Sequence, residues 1–313
     1  MIDTKRAPGA LFVNYAQSRP GSCGVEYSVF FRHFCLVVMA QILSPNYLVN
    51  YINDSAVSKA GLQQPRLLVM AFLGGVYIAL GALLALVVAG GATTLAAQNP
   101  GLDKLLFGAV FPVGFIAVVL TGADLFTSNC ATQMVPLYRR QIKLSEVLRV
   151  WGVSYGGNLV GALFAAFFFA YMTGLLDAHQ PWAAYAQHLA EHKVDQPFLV
   201  VFIKGVLANM LVCVAAWQGY SAKDTLGRMV GIWAPVMAFV ALGMEHSIAN
   251  LFFIPAAMLA GADIGIGEFV INNLIPATLG NIVGGAVLIG LPYAWLYSET
   301  DGRVENPTDI DLP

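Results

Sequence analysis

Few residues in this chain are suited to chemistry at membrane depth. Glu245 and His246 stand side by side between two uncharged apolar stretches, 229–244 and 247–262. Each stretch is shorter than the roughly 20 apolar residues a helix needs to cross the hydrocarbon core. Read as two halves of one interrupted span, they put a carboxyl group and an imidazole at the interruption. A second polar break, 121–129, carries Asp124. Backbone freed at membrane depth is tolerated only where it is buried in protein or lines a cavity, and an ionised carboxylate facing lipid is expensive. Asp124, Glu245 and His246 are therefore expected to face the interior of a helical bundle. Capping a broken helix end is the plainer role for an acid here. It is favoured for Asp124 and stands level with a functional role for Glu245. For His246 a pathway role is favoured over packing, because imidazole exchanges protons in the physiological range.

The two breaks are related in sequence. Gly122-Ala-Asp124 followed by Asn129 has the same pattern as Gly243-Met-Glu245 followed by Asn250. Further on, Gly157-Asn158-Leu159-Val160-Gly161 matches Gly280-Asn281-Ile282-Val283-Gly284. The offsets are 121 and 123 residues, so the register holds. With three spans in each copy, the second must run through the membrane upside down. Inverted repeats of this kind place a transport site near the midplane, where corresponding helices are interrupted.

The elements that position these residues follow from composition. The 313-residue chain is 58% hydrophobic and 11% charged, and its mean hydropathy is +0.69, values that belong to an integral membrane protein. Regions 67–91, 105–123, 150–176 and 269–298 carry no Asp, Glu, Lys or Arg, and 197–222 carries only Lys204. With the interrupted region they make an all-α fold of six transmembrane helices in two inverted three-helix repeats, the second and fifth spans interrupted. Of 16 basic residues 13 fall on one side, which makes that side cytoplasmic and puts both termini there. The chain divides into an N-terminal extension (1–43), a cytoplasmic amphipathic helix (44–66), the six-span domain (67–298) and a cytoplasmic tail (299–313). An alternative start at Met39 would make the preceding residues non-native.

Other functions are disfavoured. A net charge of -2 without a basic stripe argues against nucleic acid. Cys23, Cys35, Cys130 and Cys213 have no C-x-x-C spacing, so neither a metal site nor a disulfide framework is indicated. No cofactor motif or nucleophile-base pair suggests an enzyme, and the paired Asn-Pro-Ala motifs of a water channel are missing. By position alone Lys193 reads as a snorkelling interfacial lysine.

Four segments together resemble the formate/nitrite transporter family over 44–297. They are Gly122-Ala-Asp-Leu-Phe-Thr-Ser, Lys204-Gly-Val-Leu-Ala-Asn-Met-Leu-Val-Cys, Gly243-Met-Glu-His-Ser-Ile-Ala-Asn and Asn273-Leu-Ile-Pro-Ala-Thr-Leu-Gly-Asn-Ile-Val-Gly-Gly. The resemblance implies an aquaporin-like fold in a bacterial cytoplasmic membrane and a homopentamer in which each protomer has its own pore. The pore would pass small monovalent anions or their conjugate acids, without cofactor or metal. It implies His246 as the central histidine and proton relay, Thr127 as the loop threonine, and Asn209 as the polar group of the fourth span. Lys193 becomes the vestibule lysine, and Lys59 the partner of the acid beside the histidine, with Glu245, Asp124 and Asn250 supporting the centre. The constrictions fall on Phe111, Phe115 and Leu125 on one side and Phe239 on the other. Phe115 stands where formate-transporting members often carry a smaller aliphatic residue, and the extension before Met39 matches nothing. The segment from Asn273 to Asn281 looks more like formate members, so formate, moved as or with a proton, is the expected substrate, with nitrite and hydrosulfide as alternatives.

Overall fold

The computed structural model describes residues 42–297, and the expectations for 1–41 and 298–313 lie outside them. Among the described residues the chain is helical, and ten helices carry the site. They are α1 Pro45–Ala60, α2 Gln64–Gly90, α3 Pro100–Thr121, α4 Phe126–Thr132, α5 Leu144–Tyr171, α6 Pro181–Val194, α7 Phe198–Ser221, α8 Thr225–Ala241, α9 Ser247–Leu259 and α10 Ile266–Leu296. Five of these, α2, α3, α5, α7 and α10, are long and apolar enough to cross a membrane. The 17-residue α8 and 13-residue α9 are apolar but shorter.

Both breaks begin in the same way. Thr121 ends α3 at Gly122 with φ 76°, and α8 is followed by Gly243 with φ 69°. This left-handed conformation strains any residue with a Cβ, so glycine at these two positions turns the chain out of the helix. The loops then re-enter helix at Phe126 and Ser247.

Long helices meet in close crossings. A Cβ added to Gly161 of α5 would lie 2.1 Å from the Phe72 carbonyl oxygen on α2. One added to Gly284 of α10 would lie 2.2 Å from the Val206 oxygen on α7. Small residues at such crossings let backbones approach where no hydrophobic effect drives helices together. Outward-facing Val69, Val160, Leu199, Val230 and Ile271 are exposed, giving the apolar exterior of an integral membrane protein.

The amphipathic α1 buries Leu48, Val49, Ile52, Asn53, Ala56 and Ala60 on one stripe. Its C-terminal turn is pinned by Arg149 of α5, which donates to the carbonyls of Ala60 and Leu62. That clamp fixes Lys59, in the last turn of α1.

Candidate functional site

Two buried asparagines shape the breaks. Asn158 accepts the Phe126 amide on Oδ1 at 2.9 Å and donates through Nδ2 to the carbonyls of Ala71 (2.6 Å) and Asp124 (2.9 Å). Asn281 repeats the pattern. It accepts from the Ser247 amide at 2.8 Å and donates to the carbonyls of Gly205 (2.8 Å) and Glu245 (2.9 Å). Each therefore satisfies the backbone groups a broken helix leaves orphaned and ties the loop to a neighbouring span.

The acids are held by buried networks rather than used as helix caps. Asp124 accepts from Asn129 Nδ2 at 3.1 and 2.9 Å, from Ser154 Oγ, and from Lys59 Nζ at 2.5 Å. Glu245 accepts on Oε2 from Asn250 at 2.7 Å, Asn273 at 3.1 Å and Lys193 Nζ at 3.0 Å. Lys193, not Lys59, is thus the partner of the acid beside the histidine, and the expected pairing is corrected. The reason lies in the repeat, because Lys59 and Lys193 are 134 positions apart, as are the carbonyls of Ala71 and Gly205. The repeat therefore includes the lead-in helices α1 and α6, each delivering a lysine to its own half. Burial is the largest influence on Lys59 and opposes its charged form, but Asp124, by charge and hydrogen bond, and Tyr220 together outweigh it and leave the amine's pKa above its ordinary value.

His246 is 3% exposed and occupies the N-cap of α9. Its Nδ1 accepts the Ala249 amide at 3.0 Å, and Nε2 lies 2.9 Å from Thr127 Oγ1. Because Nδ1 is an acceptor, the neutral ring carries its proton on Nε2 and donates it to Thr127. Phe239 stacks on the imidazole, centroids 5.7 Å apart and planes 27° from parallel. Asn209 is fully buried. Its Nδ2 donates to the carbonyls of Thr127 (3.0 Å) and Asn281 (2.6 Å), so it fixes the backbone that presents Thr127.

The imidazole edges a pinched space lined by Ile78, Phe111, Phe115, Leu125, Val212, Val236 and Phe239, too narrow to admit water. Three repeat-related pairs build it: Ile78 with Val212, Phe115 with Val236, and Leu125 with His246. Phe111 and Phe239 meet edge to face at 6.0 Å and also line the wider cavity beyond. The structure therefore groups Phe111 with Phe239 on the cavity side, whereas Phe115 and Leu125 line only the pinch.

That cavity is a vestibule of about 220 Å³. Lys193 lines it yet is only 7% exposed, and its charge is committed to Glu245, with the ammonium 5.9 Å above the Phe253 ring. Tyr185 of α6 donates to Asp103 Oδ2 at 3.3 Å. Burial and this carboxylate push the phenol's pKa up, keeping it a donor. Two further cations, Lys104 and Lys204, line the vestibule, and no carboxylate of the described residues pairs with either. Lys204 Nζ instead donates to Gln196 at 2.5 Å. Sequence reasoning passed over both, although Lys204 had a signal as the lone charge in its span. Among the described residues no three His, Cys, Asp or Glu side chains converge as metal ligands would.

Comparison with known proteins agrees with this architecture. The family profile described as "Formate/nitrite transporter" matches residues 46–295. The chain is 42% identical to the uncharacterized transporter YrhG of Bacillus subtilis (strain 168), covering 82% of this chain and 94% of that one. It is 41% identical to a probable formate transporter of Methanothermobacter thermautotrophicus, covering 78% and 93%. A solved structure described as a pentameric formate channel with formate bound superposes with a TM-score of 0.66 at 32% identity, covering 75% of this chain and 98% of that one. The chain belongs to the formate/nitrite transporter family.

Proposed function

We propose that the protein is a formate channel in which five protomers assemble, each with its own pore. In this reading each protomer has six spans arranged as two inverted repeats, and both termini face the cytoplasm of a bacterial cell. The observation that carries it is a titratable imidazole hydrogen-bonded to a threonine hydroxyl at the edge of a dry apolar pinch. A carboxylate cannot pass such a pinch bare, since the idealised Born cost of transferring an ion from water to a medium of low dielectric is of order 20 kcal/mol. As the neutral acid it escapes most of that cost.

In the proposed cycle the anion is drawn into the vestibule by Lys104 and Lys204, with Lys193 held in reserve by Glu245. It approaches the pinch past Phe111 and Phe239. Thr127 and His246 Nε2 then supply hydrogen bonds in place of water. For His246 to relay a proton, a second proton must enter at Nδ1, which requires the Ala249 amide to let go. Proton relay is thereby tied to loosening of the α9 cap and to movement of the break. The acid beside the histidine, held by Lys193, Asn250 and Asn273, keeps the loop in register during that step.

Purified protein in liposomes tests the substrate. Labelled formate uptake is expected, with unlabelled formate competing more strongly than nitrite, hydrosulfide, acetate or lactate. Stronger competition by nitrite or hydrosulfide would reassign the substrate within the family.

A further inference from the structure

The vestibule described above opens on one side of the pinch, and the internal repeat indicates what lies on the other. Ala249 and Phe253 of α9 line that vestibule beside Lys193. The positions 121 residues earlier are Ser128 and Thr132, one turn apart on α4, and the repeat mate of Lys193 is Lys59. Where the vestibule side is apolar, the matched side carries two hydroxyls.

Those hydroxyls are buried and unpaired. Ser128 is 7% and Thr132 6% exposed, and neither side-chain oxygen has a hydrogen-bond partner among the described residues. A buried hydroxyl left unpaired costs free energy, so a membrane protein retains one where something other than the fold is served. Next along the chain Gln133 Oε1 is also unpaired, and its amide reaches the Ala56 carbonyl of α1 at 3.4 Å.

We propose that Ser128 and Thr132 form a second substrate subsite, on the α1 side of the pinch, that binds a small carboxylate. The proposal rests on the formate-channel reading and adds a site to it. Residues four apart on a helix have Cβ atoms about 5–6 Å apart on one face. Each hydroxyl can then donate to one oxygen of a single carboxylate, as a hydroxyl donor does to any anion. Lys59, fixed by Arg149 at the end of α1 and paired with Asp124, stands on this side as Lys193 paired with Glu245 stands on the other. A molecule leaving the pinch would thus exchange Thr127 for the next polar groups along the same helix, Ser128 and Thr132, instead of meeting an apolar wall.

The test is uptake of labelled formate into liposomes by the whole protein, with a thermal unfolding curve for each variant. The double variant Ser128→Ala with Thr132→Val is expected to raise the half-saturating formate concentration about tenfold, the size expected when hydrogen bonds to a charged group are lost. Its unfolding temperature should stay level or rise, because removing an unpaired buried hydroxyl relieves a cost. Thr132→Ser, which keeps the donor, should behave as wild type. Half-saturation within twofold of wild type in the double variant overturns the proposal. So does a loss of transport that tracks a lower unfolding temperature, since the hydroxyls would then be structural. Wild-type protein that takes up no formate overturns the formate reading itself, whereas insensitivity of the double variant in a transporting protein overturns only the subsite.

Discussion

Asp124 and Glu245, Asn129 and Asn250, Asn158 and Asn281, Lys59 and Lys193 are matched by the repeat, and in each half the acid accepts from its lysine and its asparagine while the second asparagine holds the loop amide. The central polar residues are not matched. His246 has Leu125 as its mate, Thr127 has Ile248, and Asn209 has Gly75. Symmetric side chains therefore hold the breaks in place, and in the proposed cycle the asymmetric ones supply the chemistry. This division sets the expectation for Lys193. Lys193→Met strands the buried Glu245 carboxylate and should cost about 3–5 kcal/mol, read as a lowered unfolding temperature. Adding Glu245→Gln should restore most of it. If the single variant is as stable as wild type, the pair is not the anchor described here. The pinch yields a second expectation at this scale. Phe115→Ala should raise lactate uptake above that of wild type, because the Phe115 ring is among the bulkiest groups lining the pinch. No gain of lactate uptake in a stably folded variant would place the size filter elsewhere.

At the scale of the helices, much of the fold was legible in the sequence because hydrophobic length and charge are strong signals. The interrupted span at 229–262 was marked by Glu245 and His246, and the structure resolves it into α8 and α9 around Gly243. What the sequence did not disclose was pairing in space. Lys59 lies 65 residues from Asp124, and Lys193 lies 52 from Glu245. The spacing that relates the two lysines, 134, differs from the 121 that relates the breaks, because the loop between α2 and α3 is longer than the link between α7 and α8. A single-offset comparison therefore misses α1 and α6 as repeat partners. The capping role favoured for Asp124 goes instead to an asparagine for a similar reason, since the loop amides at Phe126 and Ser247 are met by Asn158 and Asn281, each more than thirty residues away. Repeat symmetry makes a direct expectation here. Gly161→Ala and Gly284→Ala each drive a methyl into a carbonyl oxygen of the facing helix and should destabilise to a similar extent, about 1–3 kcal/mol. A large effect in one half and none in the other would contradict equivalent crossings.

For the whole molecule, the pore is dry and closed at its centre, while the vestibule beside it carries three lysines against two carboxylates in an otherwise largely apolar lining. Such a mouth concentrates anions, and in the proposed cycle the pinch lets them on only after their charge is neutralised. Anion capture at exposed lysines is screened by salt, so raising ionic strength should weaken apparent formate affinity, and Lys104→Gln with Lys204→Gln should remove most of that dependence. Equal salt sensitivity in the variant would detach capture from these lysines. The measurement that bears most directly on the central claim is the pH dependence of formate flux in liposomes for wild type and His246→Asn. Asparagine preserves size and hydrogen bonding at the α9 cap but cannot take a second proton. Wild-type flux is expected to vary with pH between about pH 5 and 8, because the proton that crosses with formate is drawn from the adjoining solution through the ring. His246→Asn should assemble and unfold like wild type but show a flat profile over that range. A variant that keeps the wild-type profile would contradict the account, making His246 a packing residue and leaving bulk water as the source of the proton.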